Sequence, residues 1–547
     1  MIEQMMPMTR SRAPRIFGST ILMTMLLMSA CSQFKTSPAW NPEASAPPSP
    51  ESYWAPEQAP SDPYSLDDFF PEPSGSATPS PSQDASGPNP SPGILVELDE
   101  QVPLSDPDHP LELVDLIDIA LRNNPSTRAS WQNARMKAAE LGEQMGTYYP
   151  TIVGDLSGGV LKDTLVFPDG TAIFEGAEVR PELRITYVLL DFGKRSASSE
   201  EARRRLAAAN FSFNRELQRT LYQVQASFYE HDSARALKEA AEQNLELAVY
   251  VREDVTRRLE LGLATRPDFL LAKQVEAQAV YDLEVSKVGV FNTRSRLALN
   301  MGLPANAELS TSSLFEQPLP PELDAEVDLL INLALRQRPD LQAQVARLRA
   351  SEASVAKAKA DFLPTLGLDG TFGGLWGSYT LSGKGVGNPS IDTDTRRHGF
   401  SSVYDAQVIL SWPLFEGFSR KNRVRKAVAD RERERERLRA IEIEATNEVW
   451  SIYNDYQASY RKYDYGLALL EASEEAYQAT LESYDAGLRT IDDLLRSERD
   501  LAQARYTLIG ARSSLLSTAA RLGFALGAVP ENPRTRNTPS DLESPPL

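Results

Sequence analysis

The sequence predicts a mostly helical chain with a smaller β component, in which long antiparallel coiled-coil helices join four β-strands and one unit occurs twice. Three observations carry this reading. Landmark residues recur at a nearly constant spacing, long proline-free segments carry apolar residues three and four apart, and shorter segments between them alternate apolar with polar.

The repeat comes first because it sets the architecture. Leu121-Arg122-Asn123-Asn124-Pro125 matches Leu335-Arg336-Gln337-Arg338-Pro339, and Tyr149-Pro150-Thr151 matches Leu363-Pro364-Thr365, both at an offset of 214. Leu190 and Gly193 match Leu414 and Gly417 at 224. Gly262-Leu263-Ala264-Thr265 matches Gly487-Leu488-Arg489-Thr490 at 225, a register that Asp268, Tyr281, Leu297 and Gly302 keep with Asp493, Tyr506, Leu522 and Gly527. The offset changes only between landmarks, where loops absorb it. The two copies cover residues 94–305 and 306–529.

Each copy reads helix, strand, strand, long helix, turn, long helix. In the second strand of the first copy Val179, Pro181, Leu183, Ile185, Tyr187 and Leu189 share one face, and Arg180, Glu182, Arg184 and Thr186 the other. Its counterpart puts Tyr404, Ala406, Val408, Leu410, Trp412 and Leu414 on one face and Asp405, Gln407 and Ser411 on the other. Tyr187 and Trp412, near strand ends, suit a membrane interface. By themselves these strands fit a soluble sheet with one wet face equally well. Gly370, Gly373 and Gly374 fall within a strand, where small residues suit a curved wall.

From residue 196 to 261 no proline interrupts the chain, enough for on the order of 100 Å of helix. Leu206, Asn210, Phe213, Leu217, Leu221, Val224 and Phe228 trace a coiled-coil seam, as do Leu438, Ile441, Ala445, Val449, Ile452 and Tyr456 in the second copy. The alternating charges of residues 430–437 read as a solvated helix face.

The two turns between long helices carry the same chemistry. Gly262 and Gly487 end one helix in a left-handed conformation; Thr265 and Thr490 N-cap the next, with Asp268 and Asp493 three residues on. Pro267 sits in the first helical turn, where its missing N–H costs little.

Outside the repeats the chain is simpler. Arg10, Arg12 and Arg15 precede an apolar stretch at residues 16–28, too short to span a bilayer, and so residues 1–30 read as an export signal. Met28-Ser29-Ala30-Cys31 resembles a bacterial lipoprotein box, which implies cleavage before Cys31 and a lipid on its thiol; Ser32, rather than Asp, favours the outer membrane. Residues 31–93 hold 15 of the 38 prolines and read as an extended tether, and residues 530–547 as a disordered tail.

A net charge of −19 argues against nucleic-acid binding. Three histidines and one cysteine leave no basis for a zinc site or a disulfide framework. His109, expected before the first helix, His231, inside a coiled coil, and His398, expected in the loop before the fourth strand, stand in no catalytic spacing. Neither an enzyme activity nor a cofactor beyond the lipid on Cys31 is expected.

An open four-stranded sheet cannot sit in hydrocarbon, because its edges would leave backbone groups unpaired, and barrels need at least about eight strands to close. Four strands plus long paired helices resemble the TolC-like outer membrane efflux family across residues 111–528. The resemblance implies a homotrimer: a twelve-stranded barrel in outer-membrane lipid continuing into an α-helical tunnel through the periplasm. It further implies a passive exit duct of a tripartite efflux or type I secretion system, docking on a periplasmic adaptor (membrane fusion) protein and driven by an inner-membrane pump. Leu261, Gly262, Leu263, Ala486, Gly487 and Leu488 fall on the family's adaptor-docking tip motif. Asp268, Tyr484, Arg489 and Asp493 fall on its gate, with Arg489 expected to pair with Asp268 in the other hairpin; Arg496 stands where the family has a second acidic ring residue. The alternative from a different class is a lipid-tethered periplasmic coiled-coil scaffold.

Overall fold

A computed structural model describes residues 45–55, 110–167, 170–313, 319–323, 326–385 and 395–528. The first copy comprises α1 (Leu113–Asn123), α2 (Pro125–Gly146), β1 (Thr151–Phe167), β2 (Gly170–Leu190), α3 (Lys194–Glu260) and α4 (Arg266–Asn300). The second comprises α5 (Val327–Gln337), α6 (Pro339–Ala360), β3 (Thr365–Gly385), β4 (Thr395–Ser411), α7 (Ser419–Asp485) and α8 (Ile491–Leu526). Corresponding helices match in length: 11 residues for α1 and α5, 22 for α2 and α6, and 67 for α3 and α7.

The shared proline explains one break. A residue before proline is pushed out of the helical region. Asn124 and Arg338, at matched positions, both take extended backbone, with ψ of 119°. Each then reaches the C-terminal end of the last helix in its own copy. Asn124 Nδ2 donates to the Asn300 carbonyl at 3.0 Å, and Arg338 Nη1 to the Ala525 carbonyl at 3.3 Å.

By internal contacts the described chain forms two units, each drawing on both copies. One holds the four strands with residues 45–46, 135–150, 191–206, 346–364 and 412–434; the other holds residues 47–55, 110–134, 207–313, 319–323, 326–345 and 435–528. In the strand-bearing unit the sheet order is β1-β2-β3-β4, antiparallel throughout. Small satellites pack beside it: Ala138, Leu141, Ala202 and Leu206 around Ala46, and Val355, Ala358 and Ala427.

In the helical unit the repeat is visible as two equivalent cores. Ala120, Val224 and Leu297 lie in one, and their counterparts Ala334, Val449 and Leu522 in the other. The predicted seam of α3 is buried at Leu206, Asn210, Phe213, Leu217, Val224 and Phe228, with Leu221 half-buried. On α7, Ala445, Val449, Ile452 and Tyr456 are buried.

A buried polar knot ties the copies together. Arg215 of α3 donates to the Phe524 carbonyl at 2.8 Å and lies 3.6 Å above the Phe524 ring, while Gln218 donates to the Gly527 carbonyl at 2.8 Å. Cations and donors at a helix C-terminus satisfy its orphan carbonyls and complement its dipole. Arg338 completes the knot through Asp340 at 2.8 Å and Glu448 at 2.6 Å. Burial pushes the Arg215 guanidinium down to about 10 against the pull of Asp340, and burial of Asp340 is outweighed by Arg338 and Arg215, which hold its carboxyl below the usual range.

The tether expectation for residues 31–93 needs correction at residues 45–55. Trp131 Nε1 donates to the Pro47 carbonyl at 2.8 Å, and Asn214 exchanges two hydrogen bonds with the Trp54 backbone at 2.8 and 2.7 Å. The Trp54 ring stands edge-on to Phe211, with centroids 5.1 Å apart. Proline-rich composition marked the segment as unable to fold alone; anchoring on a helix that is already formed removes that requirement. Cys31 lies outside the described residues.

Arg338→Ala should destabilise the protein by about 3 kcal/mol or more, because Glu448 and Asp340 are left without their shared cation. The Asp340 contribution is complete above its ordinary value of 3.8 and is lost as pH falls below it, because its folded-state value is the lower one. Thermal unfolding of wild type and variant between pH 3 and pH 7 measures both effects.

Candidate functional site

The sheet supplies the first part of the site. Period-2 alternation sorts its residues onto two faces, and register carries the sorting across strands. Leu183 faces Phe372 and Phe372 faces Tyr404; Val179 faces Trp376 and Trp376 faces Phe400. With Ile152, Leu156 and Val160 of β1 these residues form one continuous apolar face. It is uncovered: Leu156 is 76% exposed, Val160 82% and Tyr404 80%. A soluble sheet would bury this face against another layer. The opposite face is polar and internally paired. Arg180 reaches Glu178 and Glu182 at 3.4 and 3.5 Å, Arg184 reaches Asp155 at 3.6 Å, and Thr186 donates to Asp369 at 3.0 Å. Apolar outside and polar inside is the pattern of a barrel wall in lipid.

The dimensions agree. β1 and β4 run 17 residues and β2 and β3 run 21, longer than the roughly 9–11 needed to cross a bilayer. β1 and β4 are also the two edges of the sheet. The glycines expected to suit a curved wall have specific reasons. A Cβ on Gly373 would stand 2.5 Å from the Pro181 carbonyl oxygen, and one on Gly374 would stand 2.6 Å from the Phe400 ring, which lies over it. Pro181 is an unusual residue for an interior strand; pairing of β2 with β3 is interrupted at Arg180 and Pro181, where the missing N–H falls. His398 corrects one expectation. It lies within β4, opposite Ser378, because the strand begins earlier than its apolar alternation suggested.

At the helical end of the strands, exposed aromatics gather. Trp412 Nε1 donates to the Phe362 carbonyl at 3.1 Å, and Phe415 meets Phe418 edge-on at 5.6 Å. Phe192 and Phe418 have φ of 52° and 64°, a strained choice for a bulky residue, at the strand-to-helix turn of each copy. Such exposed rings suit the membrane–water boundary. Just below, Lys194 and Arg423 bind Asp361 at 2.8 and 2.5 Å, and together they outweigh its burial and hold its carboxyl below the usual range.

The helical tips form the second part. Gly262 and Gly487 are left-handed at φ of 74° and 75°, as the sequence predicts. Each closes a helix in the same way, with Leu263 N–H donating to the Arg258 carbonyl at 2.7 Å and Leu488 N–H to the Ser483 carbonyl at 2.8 Å. This turns Leu261, Leu263 and Leu488 outward, each at least 73% exposed; Ala486 and both glycines are exposed beside them. Thr265 and Thr490 accept from the Asp268 and Asp493 N–H groups, and each aspartate accepts from its threonine's backbone and hydroxyl. That capping lowers the Asp493 carboxyl, with Arg489 and Arg496 adding to the effect.

Within one chain the expected Arg489–Asp268 link is absent among the described residues, since Asp268 is committed to its cap. A different pair joins the hairpins. Arg258 of α3 donates to Asp485 of α7 at 2.7 Å, is held by Asp254 at 2.7 Å, and lies over the Tyr484 ring at 4.4 Å. Sequence reasoning missed it because the two partners come from different copies and share no motif. Arg496 pairs with Asp492 at 3.3 Å, one helical turn back. Beneath the tips, Val251, Val255, Ala272, Tyr477, Tyr484, Leu494 and Leu495 form one buried cluster across both hairpins.

His231 is buried beside Thr293, and burial together with Arg235 and Arg294 pushes it down to about 4, which keeps it neutral. His109 lies outside the described residues. No group of metal-binding side chains occurs among the described residues.

Residues 116–284 and 330–528 match the sequence profile described as outer membrane efflux protein. The chain belongs to that family. Among similar curated proteins, Protein CyaE of Bordetella pertussis is 27% identical over 366 residues, 66% of this chain and 72% of CyaE. The solvent efflux pump outer membrane protein SrpC of Pseudomonas putida is 27% identical over 271 residues, 48% of this chain and 55% of SrpC. Among solved structures, the outer-membrane channel OprN aligns with a TM-score of 0.64 at 21% identity, covering 76% of this chain and 90% of OprN. The Campylobacter jejuni CmeC outer membrane channel aligns at 0.65 and 18% identity, covering 82% and 94%. This member of the outer membrane efflux family is an outer-membrane exit channel and not an enzyme.

The two faces of the sheet can be tested separately. Phe372→Arg, on the apolar face, should cost about 2–4 kcal/mol of barrel stability, while Thr371→Arg on the polar face should be tolerated. Temperature-dependent loss of the native band on semi-native gels of outer-membrane preparations distinguishes them.

Proposed function

We propose that three copies assemble edge to edge, β4 of one against β1 of the next, into a passive duct that receives cargo from an inner-membrane pump through a periplasmic adaptor. One observation carries this: the sheet has two long unpaired edges and an uncovered apolar face. In lipid those edges must be paired, and only closure into a ring removes them. The scaffold alternative has no use for such a sheet. In planar bilayers the purified protein should conduct and run as a heat-labile trimer; a soluble monomer that leaves bilayers sealed overturns the reading.

The tips are the adaptor-docking surface in this proposal. Leu261, Gly262 and Leu263, with Ala486, Gly487 and Leu488, present exposed leucines on rigid capped turns, a shape that an apolar groove on hairpin tips can grip. Cys31 carries a lipid that holds the chain to the outer membrane. Asp268, Tyr484, Arg489 and Asp493 act at the gate, joined by Arg258 and Asp485. A partly exposed link of this kind is worth about a kcal/mol or less, which suits a latch meant to release.

Gly487→Phe should abolish export in cells while trimer and membrane insertion persist, because a bulky left-handed residue distorts the turn. Export at the wild-type rate removes the docking assignment. Arg258→Ala should raise single-channel conductance by severing the Asp485 link; an unchanged conductance assigns that pair to packing alone.

A further inference from the structure

Glu498 is out of place. It lies on α8, two turns into the helix that follows the second tip, and only 4% of its surface is exposed. It lies within one helical turn of Leu494, Leu495 and Leu501, members of an apolar cluster that also holds Val251, Val255 and Tyr477, and its charge bears on Tyr477. Its Oε2 is fully buried and has no hydrogen-bond partner among the described residues, and the same holds for the hydroxyl of Tyr477 on α7. Two orphan polar atoms therefore share one cluster, at a place where a leucine and a phenylalanine would pack without cost.

The surrounding charges do not rescue the carboxylate. On α8 itself, Arg499 directs its Nε to the Leu495 carbonyl at 3.1 Å, and Arg505 is engaged by Asn244 of α3 at 3.2 Å and Glu474 of α7 at 3.9 Å. On α3, Tyr250 is exposed, and Arg252 is paired with Glu276 of α4 at 3.0 Å. Asp485 on α7 is held by Arg258. An ionised Glu498 thus has no dedicated counterion. Burial, against a weaker pull from Arg499, pushes its carboxyl up to about 7, and burial together with Glu498 pushes the Tyr477 hydroxyl up to about 12.

We infer that Glu498 is a proton-binding site built into the packed tip: protonated, it lets α7 and α8 close on one another, and deprotonated, it drives them apart to admit water. The sign follows from burial. The closed packing binds the proton more tightly than a hydrated glutamate, whose ordinary value is 4.5, so closure is fully favoured below that value. The penalty on closure grows as pH rises from about 4.5 to about 7 and is constant above. Glu498 follows Asp493 on the same helix, so loosening there reaches the N-terminal turn that carries the expected gate. The effect on conductance rests on that gate reading; the proton site does not.

The test uses the full lipidated protein in detergent, with hydrogen exchange of α8 measured at pH 5.5 and pH 8.0 and corrected for intrinsic rates. Wild type should lose roughly tenfold protection over residues 491–505 at the higher pH, and Glu498→Gln, which cannot ionise, should show the same protection at both. Should that variant fail to assemble, Glu498→Leu replaces it with the same expectation. A pH response in either variant equal to that of wild type overturns the proton site. Single-channel conductance over the same range is read separately: a rise with pH in wild type alone supports the coupling to the gate, and a flat profile beside pH-dependent exchange removes the gate reading and leaves the proton site standing.

Discussion

Backbone polar groups in hydrocarbon must be hydrogen-bonded within protein, and much of this molecule follows from that requirement. Four antiparallel strands pair along their internal edges, with a break at Arg180 and Pro181, and leave two edges open, at β1 and β4. Arg180, Glu182, Arg184 and Asp155 pair among themselves on one side, while leucines and aromatics stand bare on the other. Such a sheet is unstable as a lone soluble object and well suited as one segment of a wall.

Duplication supplies the rest economically. Each copy contributes one hairpin of strands and one hairpin of helices, and the same local devices appear twice: a residue before proline reaching a distant helix end, a left-handed glycine at each tip, a capping box after it. Where the copies meet they cease to be equivalent. Asn124 makes a neutral hydrogen bond where Arg338 anchors a charged knot with Asp340, Glu448 and the end of α8. Arg215 of the first copy joins that knot, 3.6 Å from Asp340 and donating to the Phe524 carbonyl, and so links one copy to the other.

The tips combine rigidity with weak closure. Capping boxes lock each turn locally, and at the tips themselves the polar contact between hairpins among the described residues is Arg258 with Asp485 and Tyr484, with the apolar cluster and Asn244 to Arg505 farther down. Local order and loose mutual attachment are what an opening end requires. Glu498, whose buried Oε2 has no hydrogen-bond partner among the described residues, lowers the cost of parting these helices further.

Period and spacing alone determined the helices, strands, repeat and tip turns of this chain, because each depends on residues near one another in sequence. Thr265 and Asp268, or Gly487 and Leu488, meet through a single turn of backbone, so their geometry was legible before any fold was known. The contacts decided only by tertiary structure join residues hundreds of positions apart. Arg215 finds the Phe524 carbonyl, Arg258 finds Asp485, Asn214 pins Trp54 in a segment whose composition marked it as extended, and the Glu498 Oε2 is left without a hydrogen-bond partner among the described residues. Which face of the sheet goes uncovered belongs to the same class. Alternation establishes that two unlike faces exist; only the exposure of Leu156, Val160 and Tyr404 in the folded chain shows which one is left bare among the described residues.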